Sequence, residues 1–142
     1  MEGIIAVTHI AGKPAHRIVK TRIPNATYCE PQIGSIGLTE KQARDAGYEV
    51  KIGKFPFVGN SKATILGNHG GFIKVVSDAT YGEVLGIHII GPLATELLAE
   101  AATVLNLEGT IDDMMNMMHA HPTVWEAMGD AFASVKGLQI NV

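Results

Sequence analysis

A chain of 142 residues with 46% apolar side chains can fold as one domain around a real core, and its composition is not that of a disordered segment. Its formal charge of −3 argues against a general nucleic-acid binder, and no apolar run approaches the roughly 20 residues that cross a bilayer. Cys29 is the single cysteine, so no internal disulfide forms; residues 1–11 also lack the basic start and apolar core of a secretory signal. These features fit a reducing compartment, cytoplasmic or, in a eukaryote, the mitochondrial matrix.

Ile4, Ile5, Val7 and Ile10 sit at helical spacing, so a short helix is expected before Gly12. It has no N-cap and reads as the tail of a longer element. Gly12, Pro14 and Pro24 make residues 12–24 a linker arm. Residues 26–37 are strand-like, broken at Pro31 and Gly34, with Cys29 read as a buried structural thiol. Thr39 with Gln42 forms a capping box that opens a helix over 40–46, ended by Gly47. Residues 48–57 read as a strand with Val50, Ile52 and Phe55 facing inward, and 62–66 as a helical turn.

Residues 71–77 and 83–90 are β-branched runs joined by a five-residue loop, the signal of a hairpin. His88 lies on one face of the second run and reads as a packed residue. Gly91-Pro92 then opens a helix, with the proline in its first turn and Leu93, Leu97, Leu98, Ala101, Val104 and Leu105 along one stripe. Gly109 ends it. Thr110 with Asp113 caps a second helix carrying Met114, Met115, Met117 and Met118, which read as core or as an adaptable face. A third helix starts at Pro122 or Thr123 and runs to about 135. Strands, hairpin and helices together predict an α+β domain: an antiparallel sheet with helices packed on one face, a two-layer sandwich.

Charge is uneven along the chain. Ten of the eleven Lys and Arg residues lie within 1–75, and nine of the fourteen acids within 76–142. Halves of opposite sign can attract one another, or the acidic half a basic partner. The glycine-bearing stretches 58–60 and 67–71 lack the G-x-G-x-x-G spacing between a strand and a helix and read as turns.

The run His119-Ala120-His121-Pro122-Thr123-Val124-Trp125-Glu126 admits two readings. Thr123-x-x-Glu126 is a capping box that need only close a helix start. Alternatively, Glu126 holds the His121 imidazole in one tautomer, the arrangement suited to proton transfer near neutral pH. His119 and His121, two apart, point the same way on an extended segment, but no third ligand completes a metal site.

Four segments in order resemble the flavin-dependent disulfide oxidoreductases, in particular their dihydrolipoyl dehydrogenase branch. They are GIIAVTHIAG at 3–12, IPNATYCEPQIGSIGLTE at 23–40, LGIHIIGP at 85–92 with Ala94 and Glu96, and HAHPT at 119–123 with Glu126. The resemblance implies that residues 1–24 are the tail of a preceding FAD-domain helix with its linker arm, and 25–142 the C-terminal interface domain. It implies a homodimer in which His121 acts across the interface as acid–base and Glu126 orients it. The backbone of His121 and Pro122 would lie near the partner's flavin, with a cis bond between them. The reaction implied is oxidation of dihydrolipoyl groups, electrons passing through a redox disulfide and FAD to NAD.

The resemblance further implies docking to the acyltransferase component of 2-oxoacid dehydrogenase complexes. The redox cysteine pair and both dinucleotide fingerprints are absent from this sequence. The chain alone is therefore expected to bind neither FAD nor NAD and to be inactive. Val124 and Trp125 depart from the family pattern, which unsettles the substrate channel rather than the His–Glu pair. The alternatives are a stand-alone dimerisation or docking module without chemistry, or the interface domain of a glutathione-reductase type enzyme.

Overall fold

The computed structural model describes residues 1–141. In chain order the elements are α1 (Glu2–Ile10), β1 (Asn25–Thr27), β2 (Gln32–Gly37), α2 (Glu40–Asp45), β3 (Val50–Pro56), α3 (Ser61–Ile65), β4 (Phe72–Asp78), β5 (Val84–Gly91), α4 (Ala94–Asn106), α5 (Ile111–Met115) and α6 (Glu126–Ser134). The strands form one antiparallel sheet in the order β1-β2-β5-β4-β3. Helix α4 lies on β2 and β5, and α6 on β3 and β4. This is the expected α+β sandwich, with the addition that the short α2 packs on the sheet's other face.

The main core fills the space beneath α4 and α6. Ile36, Phe55, Ile73, Val75, Ile87 and Ile89 from the sheet meet Leu97, Ala101, Met128 and Phe132 from the helices. Two glycines let the helices approach this closely. A Cβ on Gly34 would stand 2.6 Å from the Ala94 carbonyl oxygen, and one on Gly53 would stand 2.4 Å from that of Ala131. Helix backbone cannot yield as a side chain does. Gly53→Ala should therefore lower stability by about 1–3 kcal/mol, read as a reduced urea midpoint with an unchanged slope. No change in midpoint would show that α6 shifts without cost.

Several expectations need correction. Val50 and Ile52 do not share a face with Phe55. Strand side chains alternate, so Phe55 enters the main core while Val50 and Ile52 face the opposite side. There, with Leu38, Ala43, Val76 and Leu85, they form a small second cluster under α2. Leu85 reaches that side because the pairing of β4 and β5 slips at Val76/Ser77.

Cys29 is exposed and lies outside β1, in the bend before β2, where its thiol donates to the Pro31 carbonyl at 3.0 Å. The lack of a second cysteine or an adjacent base suggested a buried structural thiol, but β1 is a short edge strand whose three residues are all exposed.

Helix α4 starts at Ala94 rather than Pro92. Leu93 precedes it in the left-handed region, φ 55°, and is exposed. No local side chain caps this start. Gln32 of β2 does so instead, its Oε1 accepting from the Thr95 N–H at 3.2 Å and hydroxyl at 2.9 Å. At the far end α4 stops at Asn106, short of Gly109, and Glu108 takes the left-handed conformation (φ 54°).

The methionine segment divides. The capping box Thr110–Asp113 is present, but α5 ends at Met115. Met114 is buried, while Met117 and Met118 are exposed in the following loop. Among the described residues, one ion pair joins the basic and acidic halves: Arg22 to Glu108 at 2.7 Å, tying the 12–24 arm to the end of α4. Helix α1 buries none of its residues; Ile4, Val7 and Ile10 are all exposed.

Candidate functional site

The loop from 116 to 125 joins α5 to α6 and carries the histidine run. The Glu126 carboxylate in the first turn of α6 receives it. Its Oε1 accepts from His121 Nδ1 at 2.9 Å, and its Oε2 accepts from the Thr123 N–H at 2.8 Å. Both readings of Glu126 therefore describe the same side chain. The capping box itself is only half made. The Thr123 hydroxyl donates to the Ala120 carbonyl at 2.7 Å instead of accepting from Glu126. Residues 122–125 thus form a turn before the helix, and α6 begins at Glu126, not at Pro122 or Thr123. The His121–Pro122 bond is cis.

A carboxylate only accepts, so His121 Nδ1 carries the proton of this bond. The neutral ring then presents Nε2 with a free lone pair. The His121 side chain is 74% exposed and Glu126 28%, so the acceptor nitrogen is open at the surface and its orienter is partly sheltered. Burial acts against the charged form of Glu126, but the Thr123 N–H and His121 overcome it and hold the carboxyl below its ordinary value. A depressed carboxyl contributes stability above its unfolded pKa and loses it as pH falls through the folded value. The Glu126 anion is thus in place at neutral pH, where the α6 N-terminus also favours it.

Two residues of this region were not foreseen. Glu100 of α4 takes His119, whose Nε2 lies 3.0 and 3.2 Å from the two carboxylate oxygens. His119 and His121 therefore turn to different carboxylates instead of converging. The hydrogen bond to Glu100 raises the His119 pKa against the opposing effect of burial. A legible signal existed: Glu100 lies three residues after Leu97 and four before Val104, a charge on the buried stripe of α4.

Asn60 is the second. It is buried, its Oδ1 accepts from the Ala63 N–H at 2.8 Å to cap α3, and its Nδ2 donates to the Thr123 carbonyl at 3.1 Å. Sequence reasoning assigned it to a turn, which it is, but no local pattern reveals a partner 63 residues away.

The glycine-bearing stretches 58–60 and 67–71 serve local structure. Residues 57–59 form a 3₁₀ turn leading into the short α3. A Cβ on Gly71 would stand 1.9 Å from the Ile90 carbonyl oxygen, so that glycine serves the entry into β4. A cleft of about 800 Å³ lies between α1 and the 14–24 arm; no residue of the 116–125 loop lines it. No helix among the described residues is long and apolar enough to cross a membrane.

Comparison with known proteins agrees with this architecture. The dihydrolipoyl dehydrogenase of Mycobacterium leprae is 43% identical over 141 residues, 99% of this chain and 30% of that protein. That of Bacillus subtilis is 41% identical over 140 residues, again 99% of this chain and 30% of the relative. The chain thus spans less than a third of the length of the relatives it matches.

Among solved structures, LpdA from Mycobacterium tuberculosis superposes with a TM-score of 0.84 at 20% identity, covering 93% of this chain and 29% of that one. The HOCl-induced flavoprotein disulfide reductase RclA from Escherichia coli gives 0.81 at 20% identity, covering 92% of this chain and 30% of its own. At such identity these two speak for the fold alone. The profile of the pyridine nucleotide-disulphide oxidoreductase dimerisation domain matches residues 23–132, which take in the whole sheet and nearly all of α6. With that match and relatives above 40% identity across its length, the chain belongs to the pyridine nucleotide-disulphide oxidoreductase family, as its dimerisation domain.

Proposed function

We propose that this domain serves a dihydrolipoyl dehydrogenase, a homodimer in which it forms the subunit interface and supplies the acid–base group. The observation that carries the reading is the His121 Nδ1–Glu126 bond at 2.9 Å, which leaves Nε2 as a free, exposed base. Nε2 takes the proton from a thiol of a dihydrolipoyl group, forming an imidazolium and a thiolate. The thiolate is the nucleophile, and it attacks a disulfide, forming a mixed disulfide and releasing one sulfur as the leaving thiolate. Glu126 stabilises the imidazolium meanwhile, and the bond from Thr123 keeps its carboxylate in place.

The sequence holds no G-x-G-x-x-G fingerprint, and on this reading the redox chemistry of FAD and NAD belongs to other domains of the enzyme. His121 and Pro122 are both exposed, which suits them to lie against a group held by a second subunit. In the enzyme the acyltransferase component of a 2-oxoacid dehydrogenase complex is the docking partner and the source of the lipoyl group.

The test joins the chain to its flavin and nicotinamide domains. The joined protein should be yellow, dimeric by sedimentation, and should reduce NAD with dihydrolipoamide. The chain alone should be colourless and inactive. A dimeric joined protein that loads flavin but leaves dihydrolipoamide unoxidised would favour a docking module without chemistry. Preference for glutathione disulfide would favour the glutathione-reductase branch.

A further inference from the structure

The second histidine–carboxylate pair stands beside the first and the proposed reaction does not use it. Glu100 and His119 side chains are only 12% and 10% exposed. A carboxylate on the apolar stripe of α4 is costly to desolvate, and an aliphatic residue there would serve packing as well. What the pair adds is direction. One ring nitrogen of His119 meets both carboxylate oxygens of Glu100.

The other ring nitrogen, Nδ1, faces α6, where a Cβ on Gly129 would lie 3.4 Å away. The imidazole is therefore wedged between α4 and α6, two residues before His121. Gly129 lies three residues after Glu126, so the ring packs against the same side of α6 that presents the orienting carboxylate. The charged groups facing His119 are Glu100 from α4 and Glu126 from α6, and His119 and Glu126 feel each other's charge.

We propose that Glu100 and His119 form a positioning pair that fixes the start of the 119–123 turn, so that His121 Nδ1 meets Glu126 and Nε2 is left free for proton transfer. The importance of that Nε2 rests on the reading of His121 as the acid–base group; the positioning itself does not. Asn60 anchors the other end of the turn at Thr123, so the His121 backbone is held on both sides.

Nitrogen-15 NMR of the imidazoles in the 142-residue chain tests this without turnover. In the unsubstituted chain the neutral form of His121 should show a single tautomer, protonated at Nδ1. Glu100→Ala, which keeps a good helix former in α4, should lose that preference, leaving both His121 nitrogens partly protonated. His119→Gln places an amide N–H close to where Nε2 stands and should retain the preference, whereas His119→Leu should lose it.

If Glu100→Ala does not fold, the contrast between His119→Gln and His119→Leu decides. A single Nδ1–H tautomer in folded Glu100→Ala or His119→Leu overturns the proposal. In the full-length enzyme Glu100→Ala should lower kcat while leaving KM unchanged. Were His121 not the acid–base group, the tautomer effect would persist while kcat stayed constant, so the two ideas fail separately.

Discussion

Replacing His121 by Gln in the full-length enzyme should lower dihydrolipoamide-dependent turnover by about 10²–10⁴-fold, the usual contribution of general acid–base catalysis. Gln retains bulk and polarity but takes no proton. The side chain is largely exposed and holds no part of the core, so folding and flavin content should match the unsubstituted protein. Glu126→Gln should cost less. It keeps an acceptor for His121 Nδ1 and for the Thr123 N–H but removes the charge that stabilises an imidazolium. Near-normal turnover of His121→Gln at every pH would leave Glu126 with its structural bond to Thr123 and no part in catalysis.

Phe132→Ala should destabilise the domain by about 3–5 kcal/mol, a large share of the roughly 5–15 kcal/mol that keeps a domain folded. Phe132 is wholly buried on α6, in the core shared with Phe55 and Ile73. Truncation removes a ring from close packing and leaves a cavity that neither the sheet nor the helix closes. Because Glu126 starts the same helix, fraying of α6 should also weaken its bond to His121. The measurement is urea unfolding followed by circular dichroism. A loss below about 1 kcal/mol would mean that the core collapses around the gap.

What the sequence made legible follows from how local each signal is. The capping boxes at Thr39 and Thr110, the hairpin of β4 and β5, and the apolar stripe of α4 each depend on residues a few positions apart. All are found in the structure. The errors lie where a distant residue decides. Gln32 caps α4 from another strand, which displaces the helix start from Pro92 to Ala94. The slip at Val76/Ser77 sends Leu85 to the far face, which no alternation pattern in β5 alone reveals.

The same division runs through the site. His121 and Glu126 lie five residues apart in one turn, and their contact was readable as a motif. Glu100 and Asn60 reach that turn from 19 and 63 residues away. Glu100 left a trace as a charge on an apolar stripe; Asn60 left none beyond its place before a helix. The divergence of His119 from His121 was likewise beyond reach, because each imidazole is drawn to a carboxylate on a different helix, and the two do not point the same way as they would on an extended segment.

The claim that His121 moves the thiol proton is tested most directly by rapid-mixing measurement of flavin reduction in the full-length enzyme and its His121→Gln variant. The account predicts that dihydrolipoamide reduces the variant's flavin about 10²–10⁴-fold more slowly, while NADH reduces it at the normal rate. Equal rates with dihydrolipoamide in the two proteins would contradict it.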